Sequence, residues 1–148
     1  MSLRLPSDVV LAIRTHAEEG FPHEVCGLLL GESGESGRQV VEAFRLENER
    51  PDSRENRYAV SGRSMLRAER RAEEAGLDVV GYYHSHPNAP ARPSGYDLDH
   101  ATWPGISYPI VSVVDGRAVE IRSFTLADDR SAFLEEAVEE SPRAETEA

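Results

Sequence analysis

Residues 81–97, GYYHSHPNAPARPSGYD, gather two histidines, a serine and an aspartate into one short stretch. The preceding LDVVGYYHSH (77–86) reads as a buried strand. Side chains alternate across a strand, so His84 and His86 leave one face and Ser85 the other, and Pro87 ends the ladder. Two imidazoles sharing a direction can offer nitrogens to a single zinc ion, each ~2.0–2.1 Å from it. The loop PNAPARP carries three prolines, which lower the entropy lost in holding its far end in place. At that end lies SGYD, where Ser94 can cap a short helix. Asp97 falls three positions on, in the positive end of the helix dipole, where its carboxylate can turn back as a third, oxygen ligand. Two histidines and one aspartate leave a tetrahedral zinc with one open position, the feature that separates a catalytic site from a closed structural one. Such a site lowers the pKa of bound water to about 7 and polarises a carbonyl, which is hydrolytic chemistry.

Hydrolysis also needs a proton acceptor near the metal that does not ligate it, and later a donor for the leaving amine. Glu24, in PHEVCGLLLG, lies at the entry of an apolar strand and suits both steps. The hydroxyl of Ser94 can donate to the oxyanion of a tetrahedral intermediate, a role that competes with capping. His100 lies one turn from Asp97 and is an alternative ligand or a partner of one, whereas Asp99 points away and is read as solvated. Cys26 reads as a small apolar residue without an activating base, so covalent cysteine catalysis is disfavoured. Trp103 and Tyr108 can wall a groove, although core packing is the default for both. Taken singly these signals are weak: histidine pairs, Ser-x-x-Asp caps and proline loops all occur without function. Their conjunction, in this order and spacing, is what points to a metal.

The elements that must position these residues follow from periodicity. Ser7 can cap a helix over about 7–19, with Val9, Val10, Ile13, His16 and Ala17 at helical spacing and Gly20 as a left-handed stop. VCGLLLG (25–31) and RQVVEAFRL (38–46), joined by GESGESG, read as a hairpin. ENERPDSREN (47–56) reads as a surface loop before a short strand, RYAVS (57–61). A helix is expected from about 61 to 75, burying Met65, Ala68, Ala72 and Ala75 and ending at Gly76, with a solvated, mixed-charge outer face. SYPIVSVVDGRAVEIRSFTL (107–126) reads as a hairpin turning at Asp115-Gly116. DDRSAFLEEAVEE (128–140) reads as a closing helix with an apolar face of Ala132, Phe133 and Val138. The fold class is therefore mixed α/β: a mixed sheet flanked by helices, in one domain over 1–140 with a disordered acidic tail over 141–148.

Composition narrows the partners. The chain has 148 residues and a formal net charge of −11, the opposite bias to a duplex-binding surface. All 16 basic residues are arginine, so lysine chemistry is excluded, and the lysine-free, acidic composition fits either a high-salt cytoplasm or codon usage. One cysteine cannot form an internal disulfide, no secretory signal opens the chain, and no apolar run approaches ~20 residues. A cytoplasmic location is expected, with neither nucleic acid nor membrane as partner.

HSHPNAPARPSGYD resembles the His-x-His-Pro, Ser-x-x-Asp signature of the JAMM (MPN+) metalloproteases, and PHEVCGLLLG is similar to their Glu-bearing first strand. With the helix order and the late hairpin, the resemblance covers roughly residues 5–135. It implies a curved mixed β-sheet between helices, the MPN/JAMM fold, similar to that of cytidine deaminases, although no Pro-Cys-x-x-Cys is present to support deamination. It further implies one catalytic zinc on His84, His86 and Asp97, Glu24 as general acid/base, and Ser94 at the oxyanion. Family members cut after the C-terminal Gly-Gly of ubiquitin or ubiquitin-like proteins, a side-chain-free tail that a narrow groove can bind through main-chain hydrogen bonds. ENERPDSRENRYAV would border that groove. The compact chain lacks the extra His/Cys set of a second zinc site, which resembles the prokaryotic branch with peptidases acting on ThiS/MoaD-like sulfur-carrier proteins. Two other readings compete: a non-catalytic MPN-type interaction scaffold, and a RadC-like protein of DNA metabolism.

Overall fold

Leu3 and Leu5 alternate with Arg4, and in the computed structural model, which describes residues 2–47, 62–101 and 105–142, they form the first strand, β1 (Ser2–Pro6). Pro6 cannot continue a ladder, and helix α1 (Ser7–Gly20) starts directly after it. Ser7 is the first helical residue and makes no cap; Pro6 holds the cap position, with Asp8 in the electropositive first turn. The helix runs through Gly20 without a left-handed stop, and the amide of Phe21 closes it on Glu18 O at 3.3 Å. Val9, Ile13, His16 and Ala17 face inward as the spacing predicts. Complete burial of a side chain such as Ile13 contributes about 1.5–3 kcal/mol.

The expected hairpins form. β2 (Cys26–Gly34) pairs antiparallel with β3 (Gly37–Leu46), and β5 (Ser107–Val114) with β6 (Arg117–Leu126). The second hairpin turns at Asp115 and Gly116, whose φ of 50° and 87° are the left-handed pair a two-residue turn requires. Helix α2 (Gly62–Ala75) matches its predicted span and ends at Gly76, φ +69°. β4 (Asp78–Pro87) lies between β2, antiparallel to it, and β5, parallel to it. Short α3 (Gly95–His100) joins β4 to β5.

One whole element is corrected. Residues predicted as a closing helix form strand β7 (Phe133–Ser141) instead. Local propensity favoured helix, but β7 supplies antiparallel partners to the end of β6 and parallel partners to all of β1, and backbone pairing of both neighbours outweighs a few tenths of a kcal/mol per residue of intrinsic preference. The mixed sheet expected from the sequence is present, and this strand lets it close. β1 pairs with both β3 and β7, closing a mixed barrel in the order β1-β3-β2-β4-β5-β6-β7. The readings for residues 48–61, and for the tail beyond 142, lie outside the described residues.

Alternation on β2, β4 and β5 separates two apolar layers. Leu29, Tyr83 and Val111 pack with Leu3, Leu5 and α1, whereas Cys26, Leu28, Leu30, Tyr82 and Tyr108 pack toward Ala68 and Ala72 of α2. Tyr108 is thus core, edge-on to Phe133 at 5.4 Å between ring centres. A bulge in the β2–β4 register near Gly81 leaves Val80 in the first layer, and beyond it Tyr82 faces the second; strand alternation from Tyr82 then sets the direction in which His84 and His86 point.

Candidate metal centre

His84 and His86 sit at the C-terminal end of β4, both buried, with their Nε2 atoms 3.1 Å apart. Asp97 arrives from the first turn of α3, placing Oδ1 3.2 Å from His84 Nε2 and Oδ2 3.1 Å from His86 Nε2. Asp97 is itself only 6% exposed. The convergence expected from the sequence is therefore met. Among the described residues this is the one group of His, Cys, Asp or Glu side chains whose donor atoms gather closely enough to hold a metal ion.

The loop between the ligands is anchored strand by strand. After Pro87, Asn88 adopts φ 52° and its Oδ1 accepts the Asp115 amide at 2.9 Å. Ser112 of β5 donates its hydroxyl to Ala89 O at 2.6 Å. Pro90 O accepts the Arg92 amide at 2.8 Å and lies 2.9 Å from His86 Nδ1. A carbonyl can only accept, so Nδ1 carries a proton, and Nε2 is the nitrogen that faces Asp97 and His84. Ala91 is buried against Ile110 and Phe124, and the chain then reaches Ser94. There Ser94 Oγ accepts the Asp97 amide at 3.0 Å while Asp97 Oδ2 accepts the Ser94 amide at 2.8 Å, a full capping box. One carboxylate thus both caps the helix and faces the imidazoles.

Charge in this cluster is set by burial and by mutual contact. Burial lowers the pKa of His84, against the opposing pull of the hydrogen bond to Asp97. His86 is also penalised by burial, but its bonds to Asp97 and Pro90 outweigh that and raise its pKa. Burial would raise Asp97, yet the bonds to His84 and His86 and the Ser94 amide hold its carboxyl well below the usual range, so it is ionised. A buried carboxylate and two inward-facing ring nitrogens make a donor set that a cation satisfies.

Glu24 precedes β2 and is 7% exposed. Its charge helps to raise the pKa of His86 and of Cys26, and it is not a member of the candidate ligand group. Cys26 is the register partner of His84 on β2. Burial first, with Glu24 adding and a Tyr82 hydrogen bond subtracting, pushes its thiol up to about 11, so it stays protonated at neutral pH and is a poor nucleophile. Ser94 is exposed at the rim. The side chains of Asp99 and His100, and Trp103 entirely, lie outside the described residues. The sequence did not disclose the anchoring roles of Pro90, Ser112 and Ser85; the Ser112 contact could be read only once β5 was known to lie beside β4.

The family model for prokaryotic homologues of the JAB domain matches residues 6–127. The chain is 39% identical over 119 residues to a desampylase of Haloferax volcanii, covering 78% of this chain and 83% of that one. It is 33% identical over 140 residues to a CysO-cysteine peptidase of Mycobacterium tuberculosis, covering 92% and 89% respectively. A solution structure of a protein from Desulfitobacterium hafniense superposes with a TM-score of 0.83 at 29% identity, over 98% of this chain and 96% of that one.

Proposed function

The chain belongs to the prokaryotic JAB branch of the JAMM family and is a hydrolase of peptide or isopeptide bonds; from that premise we propose that it is a zinc peptidase that cuts after the C-terminal Gly-Gly of a ubiquitin-like, ThiS/MoaD-type sulfur-carrier protein. The observation that carries this reading is the meeting of His84, His86 and Asp97 at 3.1–3.2 Å. Ligands at tetrahedral angles on an ion bonded at ~2.0–2.1 Å are separated by about 3.3 Å; the two imidazole nitrogens lie 3.1 Å apart and each has one oxygen of Asp97 within 3.2 Å, which supports zinc. Bound there, zinc would supply Lewis acidity toward the scissile carbonyl and acidify water at the open position.

The chain's own residues would do the rest. Glu24, buried and outside the ligand set, would take a proton from the attacking water and return it to the leaving amine. Ser94 Oγ accepts from the Asp97 amide, so its own hydroxyl hydrogen remains to donate to the oxyanion at the exposed rim. Capping and oxyanion donation are thus compatible. His86 would be held in one tautomer by Pro90, and Asp97 in one rotamer by Ser94.

The relatives support the substrate class by what they are: a desampylase and a CysO-cysteine peptidase. A Gly-Gly tail has no side chains to exclude it from a narrow approach and suits recognition through its main chain. No helix among the described residues is long and apolar enough to cross a membrane, and we place the enzyme in the cytoplasm, where such carriers are made. The test is mass spectrometry of sulfur-carrier proteins extended beyond Gly-Gly, incubated with enzyme with and without a chelator. Release of the extension after the second glycine, abolished by chelator and restored by zinc, is the expected result. Cleavage elsewhere, or cleavage indifferent to chelator, overturns it. A protein that binds carriers without cutting them, and keeps that binding in His84→Ala, would be a scaffold.

A further inference from the structure

We propose that Ser85, the residue between the two histidines, is a positioning residue that holds Glu24 in place, an inference that rests on the reading of Glu24 as the acid/base. Ser85 leaves β4 on the face opposite His84 and His86 and is fully buried, so it reaches neither the ligand cluster nor solvent. Its contacts go instead to Val25. The Ser85 amide donates to Val25 O at 3.0 Å, and Ser85 Oγ accepts the Val25 amide at 2.9 Å.

This reciprocal pair sits where the β2–β4 ladder stops. The register runs Gly27↔Tyr83 and Cys26↔His84, and Val25 opposite Ser85 would be its next step. In a regular step the second bond would run from Val25 N to the Ser85 carbonyl; here the hydroxyl accepts it. A side-chain oxygen lets the chain leave the sheet at Val25 while its amide stays paired, and a buried amide left unpaired is strongly disfavoured. The amide so held belongs to the Glu24–Val25 peptide plane, which is bonded directly to the Glu24 Cα. Ser85 therefore fixes the last backbone plane before the proposed base, from the same strand that carries both histidines. A single residue sets the base in register with the ligands on either side of it.

The experiment compares Ser85→Ala, Ser85→Thr and Glu24→Gln in the zinc-loaded enzyme, reading zinc stoichiometry, kcat, KM and hydrogen exchange at the Val25 amide. Ser85→Ala is expected to keep its zinc and its KM, to lose about 10- to 100-fold in kcat through a displaced base, and to exchange Val25 about tenfold faster. Ser85→Thr, which retains the oxygen, restores both. In a Glu24→Gln background Ser85→Ala removes no further rate. If Ser85→Ala does not fold, Ser85→Cys, with a weaker acceptor of similar shape, takes its place with the same expected direction. Unchanged kcat alongside accelerated Val25 exchange overturns the proposal, as does joint loss of zinc and activity, or multiplicative losses in the double variant. Full activity in Glu24→Gln alone would sink the acid/base reading instead, while the Val25 exchange would still report whether the clamp exists.

Discussion

Lowering the pH from 6.5 to 4 should destabilise the fold through one histidine that takes no part in the metal centre. His16 is on the buried face of α1, its Nδ1 2.6 Å from the hydroxyl of fully buried Tyr83, whose neighbour His84 points to the opposite face of β4. Burial, helped by Arg45 and opposed by Glu19, lowers the His16 pKa from 6.5 to about 4. Between those values the unfolded chain binds a proton that the folded chain refuses. The stability this group contributes is complete above pH 6.5 and is lost as pH falls toward 4. Below 4 both states are protonated and the loss stops. The gap bounds the effect at about 3 kcal/mol, a large fraction of a domain's 5–15 kcal/mol. The measurement is urea unfolding of wild type and His16→Asn at several pH values, because an asparagine oxygen can accept the Tyr83 hydroxyl but cannot titrate. The difference between the two proteins should shift by about 3 kcal/mol in the variant's favour between pH 6.5 and 4. A difference independent of pH would refute the argument that this imidazole is buried uncharged.

The other expectations concern the site and its frame. Glu24→Gln should retain zinc, measured by metal analysis, yet lose roughly 10²–10⁴ in kcat, because it removes a proton acceptor and no ligand. Asp97→Ala should lose zinc and also about 1 kcal/mol of stability with the α3 capping box, seen as a lower Tm even in the metal-free protein. Chelation of the wild type should lower Tm, and zinc at 100 times its Kd should restore about 2.7 kcal/mol, a gain absent from His84→Ala. Gly27→Ala should cost about 1–3 kcal/mol or prevent folding, since the added Cβ would fall 2.3 Å from the ring of buried Tyr83, whose hydroxyl is held by His16.

The candidate site residues were legible because their signal is local. His84 and His86 share a face through strand alternation alone, and Ser94 and Asp97 meet through cap geometry; both rules act over two or three residues and are indifferent to the rest of the fold. Closure of the barrel was not legible for the converse reason. FLEEAVEES carries helix-favouring residues, and what makes it a strand is β1, more than 130 positions away in sequence, which pairs with it from Ser2↔Ala137 to Pro6↔Ser141. β1 itself left one trace, the alternation of Leu3 and Leu5 before Pro6, too short to stand as a strand without its partners. Gly20, expected to break α1 by a left-handed turn, did not need to: Pro22 follows within two residues and the Phe21 amide closes the last turn.

The difference matters for how far a motif can be trusted to make a site. His-x-His and Ser-x-x-Asp specify donors and rough directions, but zinc chemistry requires those donors within a few tenths of an ångström, and no motif residue supplies that precision alone. It comes from groups the motif does not name. The Pro90 carbonyl fixes the His86 tautomer, and that stretch of loop is secured next door by Ser112 on β5 and by Asn88 on the Asp115 turn. β5 can hold this loop only because it runs parallel to β4, with Ser112 in register with His86. Parallel pairing of these strands in turn requires the crossover through α3, the helix that carries Asp97. The third candidate ligand is therefore delivered by the same connection that creates the anchor for the second, and a change that displaces β5 should loosen His86 and Asp97 together more than His84, which is paired to β2 through Cys26 as well as to β5 through Ile110.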